Sequence, residues 1–95
     1  MANPISVTYS DQELRILVEE FIAMQRSKFT FKGVCSYILY RAMEEEKAVK
    51  TGELYTSYQL HQADCDRVNN ILEKIVKEGR IAVTSEGEAK AFVKR

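Results

Sequence analysis

The stretch DCDRVNNILEKIVKEGRIAVTSEGEAKAFVKR, residues 64–95, determines the predicted fold. Apolar side chains recur at helical spacing in its first half and would give a helix one apolar face: Val68, Leu72, Ile75 and Val76. Asp64 is a residue type that caps a first helical turn, and Gly79 can take the left-handed conformation that follows a last turn. The pattern therefore predicts a helix over residues 64–78.

A β-hairpin is predicted directly after this helix. Residues 80–84 and 89–93 are short runs that suit strands, and residues 85–88 between them contain one glycine, Gly87. Two such runs around a glycine-containing turn are typical of a hairpin. The C-terminal third of the chain is thus predicted as a helix followed at once by two antiparallel strands.

Upstream, a capping box predicts where the first helix begins. In Ser10-Asp-Gln-Glu13, the Ser10 hydroxyl can accept from the Glu13 amide while the Glu13 carboxylate accepts from the Ser10 amide. The apolar stripe behind it extends the predicted helix over residues 10–26. Its buried positions are Leu14, Leu17, Val18, Phe21 and Ile22.

The second helix is predicted over residues 31–46, after a brief strand at 28–31, with Thr30 as its N-cap. Its apolar stripe is wide enough to pack between two other helices and contains Phe31, Val34, Cys35, Ile38, Leu39, Ala42 and Met43. Taken over the three helices, the predicted core contains Leu17, Phe21, Val34, Ile38, Leu39, Val68, Leu72 and Ile75.

Two segments carry weaker signals. Residues 1–9 are predicted as a frayed end or a short edge strand. Within residues 47–63, positions 47–52 resemble a helix end or loop, and positions 54–58 suit a strand, a loop or one helical turn. This connection is longer than the turn of a simple helix-turn-helix, and long loops in small domains are often functional.

Composition predicts one soluble, cytoplasmic domain over residues 1–95. Lysine plus arginine equals aspartate plus glutamate at 14 each, so the formal net charge is zero. No apolar run is long enough for a membrane span, and none follows a basic start as in a secretory signal. Residues 47–95 hold nine basic and seven acidic side chains, which makes this half of the chain the more positive.

The predicted element order is helix, short strand, helix, helix, strand, strand. This order, together with VNNILEKIVKEGRI at residues 68–81, resembles the winged helix-turn-helix superfamily over residues 10–95. The resemblance implies an α+β winged helix domain with a C-terminal hairpin wing. It also implies a non-enzymatic binding module, either a DNA-binding transcriptional regulator or a protein-interaction module without nucleic acid.

The candidate DNA contacts lie on the third helix and the hairpin. If that helix packs through its apolar stripe, an outward face remains with Arg67, Asn70, Lys74 and Lys77, and Lys90 follows on the hairpin. Arginine and asparagine can bond guanine and adenine edges, and lysines suit phosphates. The resemblance implies that this face meets the major groove of double-stranded DNA.

The alternative function is protein interaction. Tyr55 and Tyr58 in the connecting segment suit an interface, because tyrosine buries a large ring and keeps a polar tip. The first helix is a second candidate interface, through pairing with its equivalent in a homodimer. His61 and Cys65 lack a third orienting group, and one histidine with two cysteines is too few for a zinc site. We therefore predict no enzyme activity, no metal and no cofactor.

Overall fold

The computed structural model describes residues 3–49 and 58–95. This part of the chain contains three helices and six strands, which confirms the predicted α+β class. In chain order they are β1 (Asn3–Val7), α1 (Asp11–Met24), β2 (Lys28–Thr30), α2 (Phe31–Glu44), β3 (Ala48–Val49), β4 (Tyr58–Leu60), α3 (Gln62–Lys77), β5 (Ile81–Glu86) and β6 (Ala89–Lys94).

The capping box before α1 is confirmed. The Ser10 hydroxyl accepts from the Glu13 amide at 3.1 Å, and the Glu13 carboxylate accepts from the Ser10 amide at 2.9 Å. Two of the amides that the first turn of a helix leaves without partners are satisfied in this way. The helix ends at Met24, two residues before the predicted limit, because the backbone of Gln25 is extended.

Ser10→Ala is expected to lower the free energy of unfolding by about 1 kcal/mol, because the Glu13 amide loses its acceptor. Urea denaturation followed by circular dichroism measures this loss. Ser10→Asp is the matched control: it keeps an acceptor at the cap and should unfold close to wild type. Equal midpoints for Ser10→Ala and wild type would mean that the cap contributes no stability.

The junction between α3 and the hairpin forms as predicted. Gly79 has a φ of 81°, and its amide donates to the carbonyl of Val76 at 2.9 Å. The next amide, of Arg80, reaches back to the carbonyl of Ile75 at 3.4 Å. This pair of bonds is the Schellman motif, which ends a helix and releases the chain into the strand that follows.

The beginning of α3 differs from the prediction. His61, not Asp64, is the N-cap, and its Nδ1 accepts from the Ala63 amide at 3.2 Å. Asp64 lies within the first turn and is buried. The predicted cap was wrong because the helix begins two residues earlier, and the Asp64 carboxylate bonds to the amide of Val7, 57 positions away, and to Arg67 on the same helix.

The hairpin belongs to a three-stranded antiparallel sheet with the order β2–β6–β5. Phe92 on β6 lies opposite Phe29 on β2 and opposite Val83 on β5. The turn is shorter than predicted: β5 continues to Glu86, and Gly87 forms the turn with Glu88. Gly87 has a φ of 61°, as the first position of a type II′ hairpin turn requires.

A second sheet, with the order β3–β1–β4, occupies the region where the sequence signal was weak. β1 pairs with β3 antiparallel and with β4 parallel. It is therefore an inner strand, and the prediction of a frayed end or edge strand for residues 1–9 is wrong over residues 3–7. The reason is that the connection between α2 and α3 supplies a partner strand on each side. The predictions for residues 50–57 lie outside the described residues.

Both sheets and all three helices contribute to one hydrophobic cluster. Six of the eight predicted core residues are buried, whereas Phe21 and Leu39 are half-buried. Leu14 and Val18, predicted as buried positions of the first helix, are buried as well, whereas the prediction omitted buried side chains from other elements: Ile5, Ile71, Ile81 and Phe92. Among the described residues, no helix has the length and apolar character that a bilayer span requires.

Candidate nucleic-acid interface

α3 presents a polar face on the side opposite its buried stripe. Asn70 and Lys77 are exposed there, and Lys74 is exposed at its side, where it lines a groove between α3 and α1. Two carboxylates, Asp66 and Glu73, are exposed on the same helix. The buried side of α3 packs on the core through Val68, Ile71, Leu72 and Ile75.

Lys90 connects the hairpin to this face. Its Nζ donates to the Oδ1 of Asn69 on α3 at 2.9 Å. The same ammonium group lies 5.6 Å from the centroid of the Phe92 ring, a cation–π distance. A cation of β6 is therefore held at the side of α3, and the helix and the hairpin form one continuous surface.

Arg67 does not belong to that surface, and the prediction that it projects outward was wrong. Its guanidinium donates to Asp11 at 2.8 Å, to Asp64 at 3.0 Å and to the carbonyl of Tyr9 at 2.6 Å. These partners lie before α1, in its first turn and on α3. Arg67 therefore links the start of α1 to α3, and each of its three side-chain nitrogens donates to an oxygen of the protein.

Asp64 bonds to Arg67 and to β1, whereas the sequence predicted it only as a helix cap. It is 6% exposed, and its two carboxylate oxygens accept from different partners. Oδ2 accepts from the Val7 amide at 3.1 Å, and Oδ1 accepts from Arg67. The carboxylate thus joins β1 to α3. We name the group of Tyr9, Asp11, Asp64 and Arg67, together with the Val7 amide, the Asp64–Arg67 network.

In the described part of the chain, the arginines form ion pairs, whereas the lysines of the candidate interface do not. Every ion pair among residues 3–49 and 58–95 uses an arginine. Lys74, Lys77 and Lys90 form no ion pair within those ranges. Asp66 accepts from the amide of Gln62 and Glu73 accepts from the amide of Asn69, and both carboxylates are exposed. The face therefore offers three ammonium groups beside two carboxylates.

A cavity of about 400 Å³ lies between α2, β4 and the first turn of α3. Phe31, Leu39 and Leu60 line it together with both cysteines, Cys35 and Cys65. Burial raises the pKa of the Cys35 thiol to about 12, and burial also raises the pKa of Cys65. Both groups are therefore neutral thiols near pH 7, which makes them weak nucleophiles.

His61 and Cys65 have separate roles in this region. The imidazole of His61 caps α3, while the Cys65 thiol donates to the carbonyl of Leu60 at 3.4 Å. In the described part of the chain, no group of three or more histidine, cysteine, aspartate or glutamate side chains is arranged to hold a metal ion.

Of the two tyrosines proposed for a protein interface, Tyr55 lies outside the described residues. Tyr58 is described through its backbone, as the first residue of β4, where it pairs with Asn3. The connecting segment therefore begins and ends in the sheet that contains β1.

Comparison with models of protein families, with curated proteins and with solved structures finds no match for this chain.

Proposed function

We propose that this chain is a winged helix domain that binds double-stranded DNA through α3 and the β5–β6 hairpin. The observation that carries the proposal is the bond between Lys90 and Asn69, which holds a hairpin cation against the exposed face of α3. The winged helix assignment is supported by the element order and by the pairing of β2 with the hairpin strand β6.

The chemistry of the face suits a duplex. An α-helix fits the major groove, where the amide of Asn70 can bond both the N6 and N7 positions of an adenine. Lys74, Lys77 and Lys90 can contact phosphates, which position the protein without reading sequence. Arg67 is omitted from these contacts because its guanidinium is bound within the Asp64–Arg67 network.

The same face limits affinity. Asp66 and Glu73 repel phosphates, and the whole chain has no net positive charge to attract DNA from a distance. Phosphate contacts supply much of the binding free energy of such proteins, and this contribution falls steeply with salt. We therefore expect weak binding that is best observed at low ionic strength.

Lys74→Ala is expected to weaken binding to all duplexes alike and to reduce the slope of log K against log salt by about one unit. Fluorescence anisotropy with a labelled mixed-sequence duplex, at a series of salt concentrations, measures both quantities. Lys47→Ala is the matched control, since Lys47 is exposed between α2 and β3, away from the face. Equal losses for the two variants would contradict a specific role for Lys74.

Asn70→Ala should instead relax the sequence preference of the protein at one base pair, by roughly 1–3 kcal/mol of binding free energy at the preferred site.

Asp66→Lys should strengthen binding to every duplex, because it replaces a repulsive charge with an attractive one. If wild type and Asp66→Lys both fail to bind duplex DNA at low salt, the DNA proposal is wrong. The protein-interaction alternative would then replace it.

A further inference from the structure

Cys35 and Cys65 come from different helices and meet at one cavity. Cys35 lies on α2 and Cys65 lies in the first turn of α3, thirty positions later in the chain. Both cysteines are half-buried, and both line the cavity of about 400 Å³ between α2, β4 and α3. The chain contains no other cysteine. Folding therefore brings the two thiols of the protein to one place.

The two thiols are also in contact. The Cys65 thiol donates to the carbonyl of Leu60 at 3.4 Å, and its sulfur accepts a hydrogen bond from the Cys35 thiol. A disulfide requires sulfur atoms about 2 Å apart, on side chains that approach each other. Side chains that already share a hydrogen bond can reach that distance through a small movement. The contact therefore places Cys35 and Cys65 within reach of a covalent bond.

We propose that Cys35 and Cys65 are a site of reversible oxidation, at which hydrogen peroxide joins the two thiols in a disulfide. The cavity has room for this oxidant, because its volume is many times the roughly 30 Å³ that a water molecule occupies in the liquid. The bond links α2 to the first turn of α3. The site goes beyond the proposed DNA-binding function, because neither cysteine is among the residues proposed to contact DNA.

Cys65 is the thiol that reacts first. Burial raises the pKa of both thiols, and the hydrogen bond between them raises the pKa of Cys35 further but lowers that of Cys65. Cys65 therefore loses its proton before Cys35, whose pKa is raised to about 12. The thiolate is the nucleophile in such reactions. Because little thiolate is present near pH 7, we expect the oxidation to take hours.

The reaction has two steps. The Cys65 thiolate attacks one oxygen of hydrogen peroxide, the O–O bond breaks, and Cys65 becomes a sulfenic acid while the leaving hydroxide takes up the proton of the thiol as water. The Cys35 sulfur then attacks the Cys65 sulfur, the S–O bond breaks, and the leaving hydroxide takes the Cys35 proton. Two thiols are thus oxidised to one disulfide, and one peroxide is reduced to two water molecules. A dithiol reductant reverses the bond by thiol–disulfide exchange.

Treatment of the reduced full chain with hydrogen peroxide tests the bond. Before treatment, an alkylating reagent should add to both cysteines of the denatured protein. After treatment it should add to neither, and dithiothreitol should restore both sites. Mass spectrometry of the intact protein and of its linked Cys35–Cys65 peptides measures this change. Two alkylated cysteines after treatment, or disulfides that join separate chains, would overturn the proposal.

The oxidised protein should be more stable than the reduced protein, because the bond restricts the unfolded chain over a loop of thirty residues. We expect the midpoint of thermal unfolding to rise by roughly 10 °C or more. The double variant Cys35→Ser/Cys65→Ser, treated in the same way, is the control and reports any effect of methionine oxidation. A midpoint that does not rise, once this effect is subtracted, would show that the native fold does not accept the bond and would refute the proposal.

The single variants test the order of the two steps. In Cys35→Ser the second step is blocked, so a sulfenic acid should accumulate on Cys65 and be trapped by a cyclic diketone reagent. In Cys65→Ser the remaining thiol is the one that loses its proton less readily, and it should be labelled much less. Equal labelling of the two variants would contradict Cys65 as the first thiol to react. None of these measurements involves DNA, so their failure would leave the proposed function to be tested separately.

Discussion

Leu72→Ala is expected to lower the free energy of unfolding by roughly 2–5 kcal/mol, the usual loss for a buried leucine. Leu72 is fully buried on α3 and belongs to the cluster that both sheets and all three helices share. Truncation removes the contacts of the side chain and leaves a cavity that the surrounding elements only partly fill. Chemical denaturation measures the loss directly.

Leu39→Ala is the matched control for that prediction. The sequence placed both leucines in the core, but Leu39 is half-buried and borders the cavity beside α2. Less apolar surface is lost there, so the cost should be smaller, about 1 kcal/mol. A loss below about half a kcal/mol for Leu72→Ala, the norm for surface positions, would place Leu72 outside the core.

Asp64→Ala is expected to lower the free energy of unfolding by about 3 kcal/mol. The change leaves the Val7 amide and one N–H of Arg67 without their acceptor, and removing one partner of a buried charge pair is costly. Because β1 is held to α3 through this carboxylate, the amides of β1 should also exchange faster. Denaturation and hydrogen exchange measure the two effects.

Asp66→Ala provides the comparison, since it removes the same side chain two residues later. Asp66 is exposed and accepts one bond, from Gln62 on the same helix. Its loss should change stability by less than about half a kcal/mol. If the two variants proved equally stable, the Asp64–Arg67 network would not be a support of the fold. Arg67 would then again be available as a candidate contact for DNA.

These expectations separate the roles of neighbouring residues on α3. Asp64 and Arg67 connect α3 to β1 and α1. Substituting either residue should therefore lower the stability of the fold, and a loss of DNA binding would follow from that loss. Lys74 and Asn70 are exposed and should act on DNA binding with little effect on stability. An Arg67 variant that lost DNA binding would therefore not identify a base contact unless its folding had been measured as well.

The local features of the chain could be predicted from sequence alone. The capping box at Ser10 and Glu13, the end of α3 at Gly79 and the existence of the hairpin depend on residues within a few positions of one another. Their hydrogen bonds form between near neighbours, so the residue types contain the required information. Helical periodicity likewise identified most of the buried stripe, because the side of a helix that is buried repeats with its turn.

Only the tertiary structure determined which strands pair with β1 and which groups Asp64 and Arg67 bind. The Asp64 carboxylate and the Val7 amide are 57 positions apart, and their bond exists only because β1 enters the sheet beside β4. Read locally, Asp64 suits a helix cap and Arg67 suits an exposed face, since both residue types are common there. A buried charge is stable only with partners. Asp64 and Arg67 are three residues apart on α3, but their other partners come from distant segments brought together by packing.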